Sequence, residues 1–228
     1  MLDLSNTWVV IPVYNEEQVI AGVVEEASQV FPNIVCVDDG SRDGSAQQVF
    51  ATAAHLIRHP VNLGQGAALQ TGFSYALSQP GCEYIVTFDA DGQHRVEDAQ
   101  AMVAKAQDEN LDVVLGSRFL EKTTDIPKMK RVVLRVAAAV SPTSRRLHLT
   151  DAHNGLRVFT AGAAAKLQIT MNGMAHASEI VNYLARSGLR IAEAPVQVRY
   201  TDYSRAKGQS LINGVNILFD ISVRQRGA

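Results

Sequence analysis

Apolar segments of strand character alternate with helical segments over the first half of the chain, and this alternation constrains the fold more than any other feature. Strands are predicted at 8–13, 34–37, 83–88 and 111–116, with an extended segment at 55–58. Helices are predicted between them, at 16–30, 43–53, 65–78 and 95–108. Since the strands are apolar throughout, the sheet is expected to be mostly parallel with helices on both faces. The sequence therefore predicts an α/β fold in which ligands bind at the carboxyl ends of the strands.

The alternation becomes irregular after residue 120, where a basic helical segment and a Ser-Pro turn precede further helix and strand. With 228 residues and 46% hydrophobic content, the chain is able to bury the core of one large domain. We therefore predict a single domain over 1–228, composed of a regular half, 1–120, and a less regular half, 121–228.

Composition excludes several classes of function. The formal net charge of −2 provides no overall positive field, so nucleic acid is not expected as a partner. Cys36 and Cys82 lie far apart in apolar segments, which argues against a disulfide framework and a thiolate metal site. The first residues lack the features of a signal peptide, and no window has the roughly 18 apolar residues of a membrane span. A cytoplasmic location is expected.

Two carboxylates one residue apart, Asp89 and Asp91, follow the predicted strand at 83–88 in the stretch TFDADGQH. Side chains at i and i+2 of an extended segment point the same way, so these like charges lie close together. A divalent cation relieves their repulsion, and Mg²⁺ or Mn²⁺ held by one or two carboxylates ordinarily shares its coordination with substrate phosphates. The pair therefore predicts a metal ion on a diphosphate.

Other phosphate-binding motifs are absent from the sequence. No GxxxxGK[ST] loop occurs, and GQGAAL at 64–69 lacks the third glycine of a dinucleotide fingerprint and does not follow the first strand. These observations leave the metal-assisted departure of a nucleoside diphosphate.

Five motifs in the first 120 residues resemble those of the family 2 glycosyltransferases, in the family's order and spacing. They are VVIPVYNEE, VDDGSRDGS, NLGQGAALQTG, TFDADGQH and VLGSRF. Further on, DAHNGLRVF, HASEI and AEAPVQVRYTDYSRAKGQS look like members that glycosylate polyprenyl phosphates, such as dolichol-phosphate mannose synthases. The resemblance implies the GT-A fold, with a nucleotide-sugar-binding half at 1–120 and an acceptor half at 121–228. It also implies transfer from a UDP- or GDP-sugar to a lipid-phosphate or glycan acceptor in cell-surface glycan biosynthesis.

The resemblance assigns roles to particular residues. Asp89, Asp91 and Gln93 would hold the metal ion on the donor diphosphate. Arg118 and Arg205 would contact the diphosphate or the acceptor, and a surface ion pair is the alternative interpretation of both. The nucleotide-binding residues implied in the same way are Pro12, Tyr14, Glu16, Val37, Asp39, Gly64, Asp89 and Ala90.

The identity of the acceptor decides whether the reaction needs a base. Charge on the leaving oxygen would be stabilised by the metal ion and the arginines, and attack from the opposite face would invert the anomeric carbon. An acceptor hydroxyl needs a general base, for which Glu179, in the predicted helix that opens with HASEI, is the candidate. An acceptor phosphate is already ionised and needs none. Both acceptors remain open, as does an ordinary helix-surface role for Glu179.

Two other classes of protein are weighed against a glycosyltransferase. A sugar-1-phosphate nucleotidyltransferase carries a glycine-rich loop after its first strand, where this chain has PVYNEE. A non-catalytic binding protein is expected to have lost the acidic pair, which is present. Among the histidines, His94 and His153 are site candidates, whereas His55 and His59 flank a predicted edge strand and are expected to be structural.

Six basic residues lie among apolar ones between residues 128 and 146, a pattern typical of an amphipathic helix at a membrane surface. They are Lys128, Lys130, Arg131, Arg135, Arg145 and Arg146. A solvated helix face is the alternative. The segment predicts peripheral attachment at the inner face of the cell membrane, with a separate small membrane protein as a candidate anchor.

Overall fold

A seven-stranded sheet forms the centre of the protein and takes strands from both sides of residue 120. The computed structural model describes residues 2–120, 147, 149–172, 175–199 and 203. The strands are β1 (Thr7–Val13), β2 (Asn33–Asp38), β3 (His55–Arg58), β4 (Tyr84–Thr87), β5 (Val113–Ser117), β6 (Arg157–Thr160) and β7 (Ile191–Pro195). The helices are α1 (Ile20–Ser28), α2 (Ser45–Phe50), α3 (Gln65–Ser78), α4 (Val96–Asp108), α5 (Ala161–Ala164) and α6 (Ala175–Ser187).

The strands lie in the order β3-β2-β1-β4-β6-β5-β7. All neighbouring strands are parallel except β6, which runs antiparallel to both β4 and β5. In this arrangement Arg157, the first residue of β6, lies opposite Thr87 of β4 and Leu115 of β5. The prediction of a mostly parallel sheet is confirmed. The antiparallel insertion between β4 and β5 was not predicted.

Helices cover both faces of the sheet, because the strands carry apolar residues on both sides. In β1, Val9 packs with α1 and α4 on one face, whereas Val10 packs with α3 and α6 on the other. Both side chains are fully buried. The core is therefore two apolar layers separated by the sheet, as the continuous apolar strands predict.

The predicted helix boundaries agree with the structure to different degrees. Helix α3 occupies the predicted span of 65–78. Helix α1 begins at Ile20 rather than at residue 16. Asn15 adopts a φ of 54°, and its backbone amide and that of Glu16 donate to the hydroxyls of Ser41, in the loop after β2, and Ser45, at the start of α2. These tertiary contacts hold the stretch before α1 as a loop.

Close packing between α3 and β1 at Gly72 predicts a specific stability difference. A Cβ atom at Gly72 would lie 2.2 Å from Cγ1 of the buried Val10, whereas one at Gly22 of α1 would have no neighbour within 4 Å. We expect Gly72→Ala to lower the free energy of unfolding by about 1–3 kcal/mol. The control, Gly22→Ala, is expected to leave it unchanged or raise it by up to about 1 kcal/mol, since alanine favours helix. Urea unfolding measures both, and equal midpoints would contradict the packing described here.

Candidate functional site

The loops with the predicted site residues meet at one edge of the sheet. The parallel strands β1, β2 and β4 end there, and the loops 14–19 and 39–44 and the stretch 88–95 follow them. Because β6 is antiparallel, the residues that lead into it reach the same edge. The edge therefore gathers polar side chains from distant parts of the sequence.

The loops after β1 and β2 hold each other through reciprocal hydrogen bonds. The backbone amides of Asn15 and Glu16 donate to the hydroxyls of Ser41 and Ser45 at 2.9 and 2.7 Å. In return, Asn15 Oδ1 accepts from the amide of Arg42 at 2.9 Å. This pairing fixes the PVYNEE stretch and leaves the Tyr14 ring 42% exposed at the edge.

Asp39 is buried and is used to hold a neighbouring loop. Its carboxylate accepts from the amides of Leu63 and Gly64 at 2.9 and 2.7 Å, and it contacts Nδ1 of His59 at 2.7 Å. The other ring nitrogen of His59 lies 2.9 Å from the hydroxyl of Thr71 in α3. The structure thus gives Asp39 and His59 positioning roles for the loop that opens α3.

A cavity of about 520 Å³ lies between these loops, a volume within the range of small-molecule sites. Tyr14, residues 40–42 and residues 58–62 line it. Of the predicted nucleotide-binding residues, Tyr14 lines the cavity directly. The side chain of Val37 is fully buried in the core, so a ligand is able to reach only its backbone.

Asp89 and Asp91 lie directly after β4, as predicted, but their surroundings differ. Asp89 Oδ1 accepts from Nε2 of Gln65 at 3.3 Å, and Oδ2 lies 2.9 Å from Nε2 of His94. Burial alone would raise the pKa of Asp89, but the charge and hydrogen bond of His94, with the charge of Arg157, lower it overall. Asp89 is therefore ionised.

Of the two carboxyl groups, Asp91 is the one that is protonated more readily. Burial first, and then repulsion from Asp89, raise the pKa of Asp91 to about 6. One of its oxygens accepts from the amide of Gln93 at 3.0 Å, and Oδ2 makes no hydrogen bond with another described residue. The described residues contain no group of three or more acidic, His or Cys side chains able to hold a metal ion. This pair suits a cation that takes its other ligands from a substrate.

His94 lies beside the acidic pair, and the structure places it there as a site candidate. Its ring is 5% exposed and packs edge-on against Phe88, with ring centroids 5.4 Å apart. Within the described part of the chain, its Nδ1 atom is buried without a hydrogen-bond partner. His94 thus fixes the orientation of the Asp89 carboxylate.

Arg118 forms a two-point ion pair with Asp151. The Nε and Nη2 atoms of Arg118 donate to the two carboxylate oxygens at 2.6 and 2.8 Å, and the Arg118 side chain is 14% exposed. Glu193 of β7 accepts from the amides of Thr150 and Asp151 in the same loop. In this structure Arg118 therefore secures the loop 149–151, so that the alternative interpretation of Arg118 as an ion-pair residue describes its contacts, although the pair is largely buried rather than at the surface.

Sequence reasoning missed the roles of Gly155 and Arg157, in the stretch HNGLRVF. A Cβ atom at Gly155 would lie 2.3 Å from Asp89 Oδ2, so only glycine allows this close approach. Arg157 is 3% exposed, and burial lowers its pKa to about 10 against the opposing charges of Asp89 and Asp151. His153, predicted as a candidate, lies within the influence of the same charge, since burial and then Arg157 lower its pKa. The sequence feature that could have indicated the role of Arg157 is its position as a charged residue within the apolar stretch LRVF.

Glu179 in α6 is engaged in holding a loop. Its carboxylate accepts from the amides of Thr170 and Met171 at 2.9–3.1 Å, and also from the Thr170 hydroxyl. Arg205 lies outside the described residues, and so does the segment 128–146. The described Tyr203 donates to Oε2 of Glu16 at 2.8 Å, which brings the later part of the chain to the site.

The sequence of the chain is similar to those of known proteins over most of its length. Residues 8–166, more than half of the chain, match the family model described as Glycosyl transferase family 2. An uncharacterized protein of Methanocaldococcus jannaschii is 32% identical over 229 residues, covering 98% of this chain and 94% of that protein. A UDP-N-acetylglucosamine–dolichyl-phosphate N-acetylglucosaminyltransferase of Methanococcus voltae is 28% identical, covering 96% of each.

A solved structure shows the same fold. Glucosyl-3-phosphoglycerate synthase of Mycobacterium tuberculosis, in complex with Mn²⁺, UDP-glucose and phosphoglyceric acid, superposes with a TM-score of 0.68 at 19% identity. The match covers 92% of this chain and 74% of that chain. The expected GT-A fold is confirmed. In the described ranges, no helix has the length and apolar content needed to cross a bilayer.

The buried position of Asp39 predicts the effect of removing its charge. We expect Asp39→Asn to lower the free energy of unfolding by about 1–3 kcal/mol, because an amide accepts the Leu63 and Gly64 hydrogen bonds poorly. Amide hydrogen exchange should accelerate at Leu63 and Gly64 and stay unchanged at Phe88, whose amide donates to Val10 within the sheet. Asp108→Asn, at an exposed position, serves as the control, with a change within about 0.5 kcal/mol. Unaltered exchange at both loop amides would refute the role of Asp39.

Proposed function

The chain belongs to glycosyl transferase family 2, and we propose that it transfers a sugar from a UDP-sugar to a polyprenyl phosphate, with inversion, in the synthesis of cell-surface glycans. The observation that carries the proposal is the pair Asp89–Asp91, which follows β4 at the same edge of the sheet as the cavity of about 520 Å³. Family membership leaves the nucleotidyltransferase alternative without support.

The cavity and its neighbouring loops are proposed as the donor site. Tyr14 offers an aromatic face to the base, and the loop held by Asp39 closes the opposite wall. UDP is preferred to GDP because the Methanococcus voltae relative is described as acting on UDP-N-acetylglucosamine and the solved Mycobacterium tuberculosis enzyme holds UDP-glucose.

A divalent ion, Mg²⁺ or Mn²⁺, fits the residues after β4. Asp91 is the proposed ligand, since its Oδ2 has no hydrogen-bond partner among the described residues and it lies one residue from Asp89, so that a cation would bridge two neighbouring carboxylates. Gln93 and Asp89 complete the protein side of the site. The ion would stabilise the negative charge of the departing diphosphate. His94 and Gln65 hold Asp89 in place, so the carboxylates do not rearrange when the charge develops.

The acceptor is proposed to be a phosphate rather than a sugar hydroxyl. Glu179, the candidate base, already accepts hydrogen bonds from two amides and a hydroxyl. A phosphate acceptor arrives ionised, so no base has to be released from such contacts. The Methanococcus voltae relative is described as acting on dolichyl phosphate.

We also propose that the protein works at the inner face of the cell membrane, where a polyprenyl phosphate presents its head group. The sequence supports this with the six basic residues between 128 and 146. Arg205, also outside the described residues, stays a proposed phosphate contact.

The transfer reaction is tested by offering radiolabelled UDP-glucose, UDP-N-acetylglucosamine and GDP-mannose with polyprenyl phosphate. We expect label from a UDP-sugar to become extractable into organic solvent with Mn²⁺ or Mg²⁺ and not with EDTA. Asp91→Asn should lower this rate at least about 100-fold, because the metal ion loses its ligand. The control Asp108→Asn should match the wild type.

Two results would overturn the proposal. Label transferred to a glycan hydroxyl, with loss of activity in Glu179→Gln, would establish the alternative acceptor. Full activity of Asp91→Asn in the presence of EDTA would remove the metal ion from the reaction.

Membrane attachment is tested with vesicles. Each cation near an anionic surface contributes about 1 kcal/mol before screening, so replacement of Lys128, Lys130, Arg131 and Arg135 by Gln should strongly weaken binding to phosphatidylglycerol vesicles. Binding of the wild type should fall as salt rises. Hydrolysis of the donor in solution controls for folding. A wild type that ignores anionic vesicles would contradict the proposed location.

A further inference from the structure

Arg157 is a buried cation for which the described structure provides no direct partner. It is the one Arg or Lys side chain among the described residues that is buried, with 3% of its surface exposed. Its guanidinium makes no hydrogen bond or ion pair with another described residue. Its pKa of about 10, lowered by burial, keeps it protonated at neutral pH. Such a charge is costly unless a ligand supplies the opposite charge.

The carboxylates near Arg157 are already compensated by other groups. Asp151 is bound through both oxygens by Arg118, and Asp89 is held by His94 and Gln65. Asp89 and Asp151 act on Arg157 only as nearby charges. Neither carboxylate makes a hydrogen bond with the Arg157 guanidinium in the described structure, so its N–H donors remain available to a ligand.

Arg157 faces the layer of the core that contains α3 and α6, since it shares β6 with Phe159 of that layer. The first turns of α3 and α6 pack together in this layer: a Cβ atom at Gly66 would lie 3.0 Å from Cβ of His176. The amino-terminus of α3 is already used by the Asp39 carboxylate, which accepts from the amide of Gly64. The Arg157 guanidinium is therefore the group on this face that is left to bind an anion.

The order of the strands separates this position from the nucleoside cavity. The cavity lies at the ends of β2 and β3, the acidic pair follows β4, and Arg157 begins β6 on the far side of β4. A donor that extends from the cavity to the acidic pair places its sugar toward β6. The group that attacks this sugar must then approach from the side of Arg157.

We infer that Arg157 binds the phosphate group of the acceptor. The inference rests on the proposed function and adds a named residue to it. A guanidinium offers two parallel N–H donors to phosphate oxygens, and its charge offsets that of the incoming phosphate beside Asp89. Arg157 is thus proposed to bring two anionic groups together at the sugar.

The test uses farnesyl phosphate as a short lipid phosphate, farnesol as its uncharged counterpart, and UDP with Mn²⁺ as the donor probe. Calorimetry gives the three dissociation constants for the full chain. We expect Arg157→Lys to weaken farnesyl phosphate binding about tenfold, because lysine keeps the charge but loses the paired donors. Arg157→Met should weaken it further. Binding of farnesol by both variants, and of UDP–Mn²⁺ by Arg157→Lys, should stay within about twofold of the wild type.

Arg190→Lys is the matched control, since Arg190 is exposed, pairs with Asp112 and precedes β7 at the opposite edge of the sheet. It should change none of the three constants. Urea unfolding identifies any variant that has lost its fold, and the lysine variant keeps the test open if the methionine variant does not fold.

Three outcomes would overturn the inference. Wild-type affinity for farnesyl phosphate in both Arg157 variants would remove Arg157 from the acceptor site. Loss of UDP–Mn²⁺ affinity alone would assign it to the donor diphosphate. Absence of farnesyl phosphate binding by the wild type would refute the proposed acceptor as well. In a wild type that transfers sugar to lipid phosphate, either of the first two outcomes would refute this inference alone.

Discussion

The architecture of the site depends on one requirement: each charged group buried at the carboxyl edge of the sheet needs a partner, and most partners come from a different loop. Asp39 is satisfied by the loop before α3, Asp151 by Arg118 and Asp89 by His94. A buried carboxylate that lost such a partner would cost several kcal/mol. The loops are consequently fixed relative to one another before any ligand arrives, which is the condition for electrostatic preorganisation.

The same requirement explains why the site is open to ligands at particular points. Among the described residues, Asp91 Oδ2 and the buried Arg157 guanidinium make no hydrogen bond or ion pair. The proposed cation would bind at the first and the proposed acceptor phosphate at the second. The two proposed ligand sites thus coincide with charged groups that have no direct partner among the described residues.

The sequence predicted features that local pattern determines. Helix α3 was predicted to the residue, and the acidic pair was found because the end of an apolar strand and the i, i+2 spacing are both visible in the chain. Features set by long-range contacts were missed. The start of α1 depends on hydroxyls of Ser41 and Ser45. The position of Arg157 near the acidic pair depends on the pairing of β6 with β4, in which Arg157 lies opposite Thr87. Glu179 likewise has a suitable side chain whose hydrogen bonds no local pattern reveals.

The antiparallel insertion of β6 has a consequence for the way the protein is synthesised. Strands β4 and β5 do not pair with each other, and each has one edge that only β6 covers. A nascent chain that has reached the end of β5 therefore carries unpaired strand edges until Arg157–Thr160 emerges from the ribosome. Exposed edges of this kind recruit other chains. The amino-terminal half is thus expected to need protection by chaperones during translation, although it contains most of the proposed donor site.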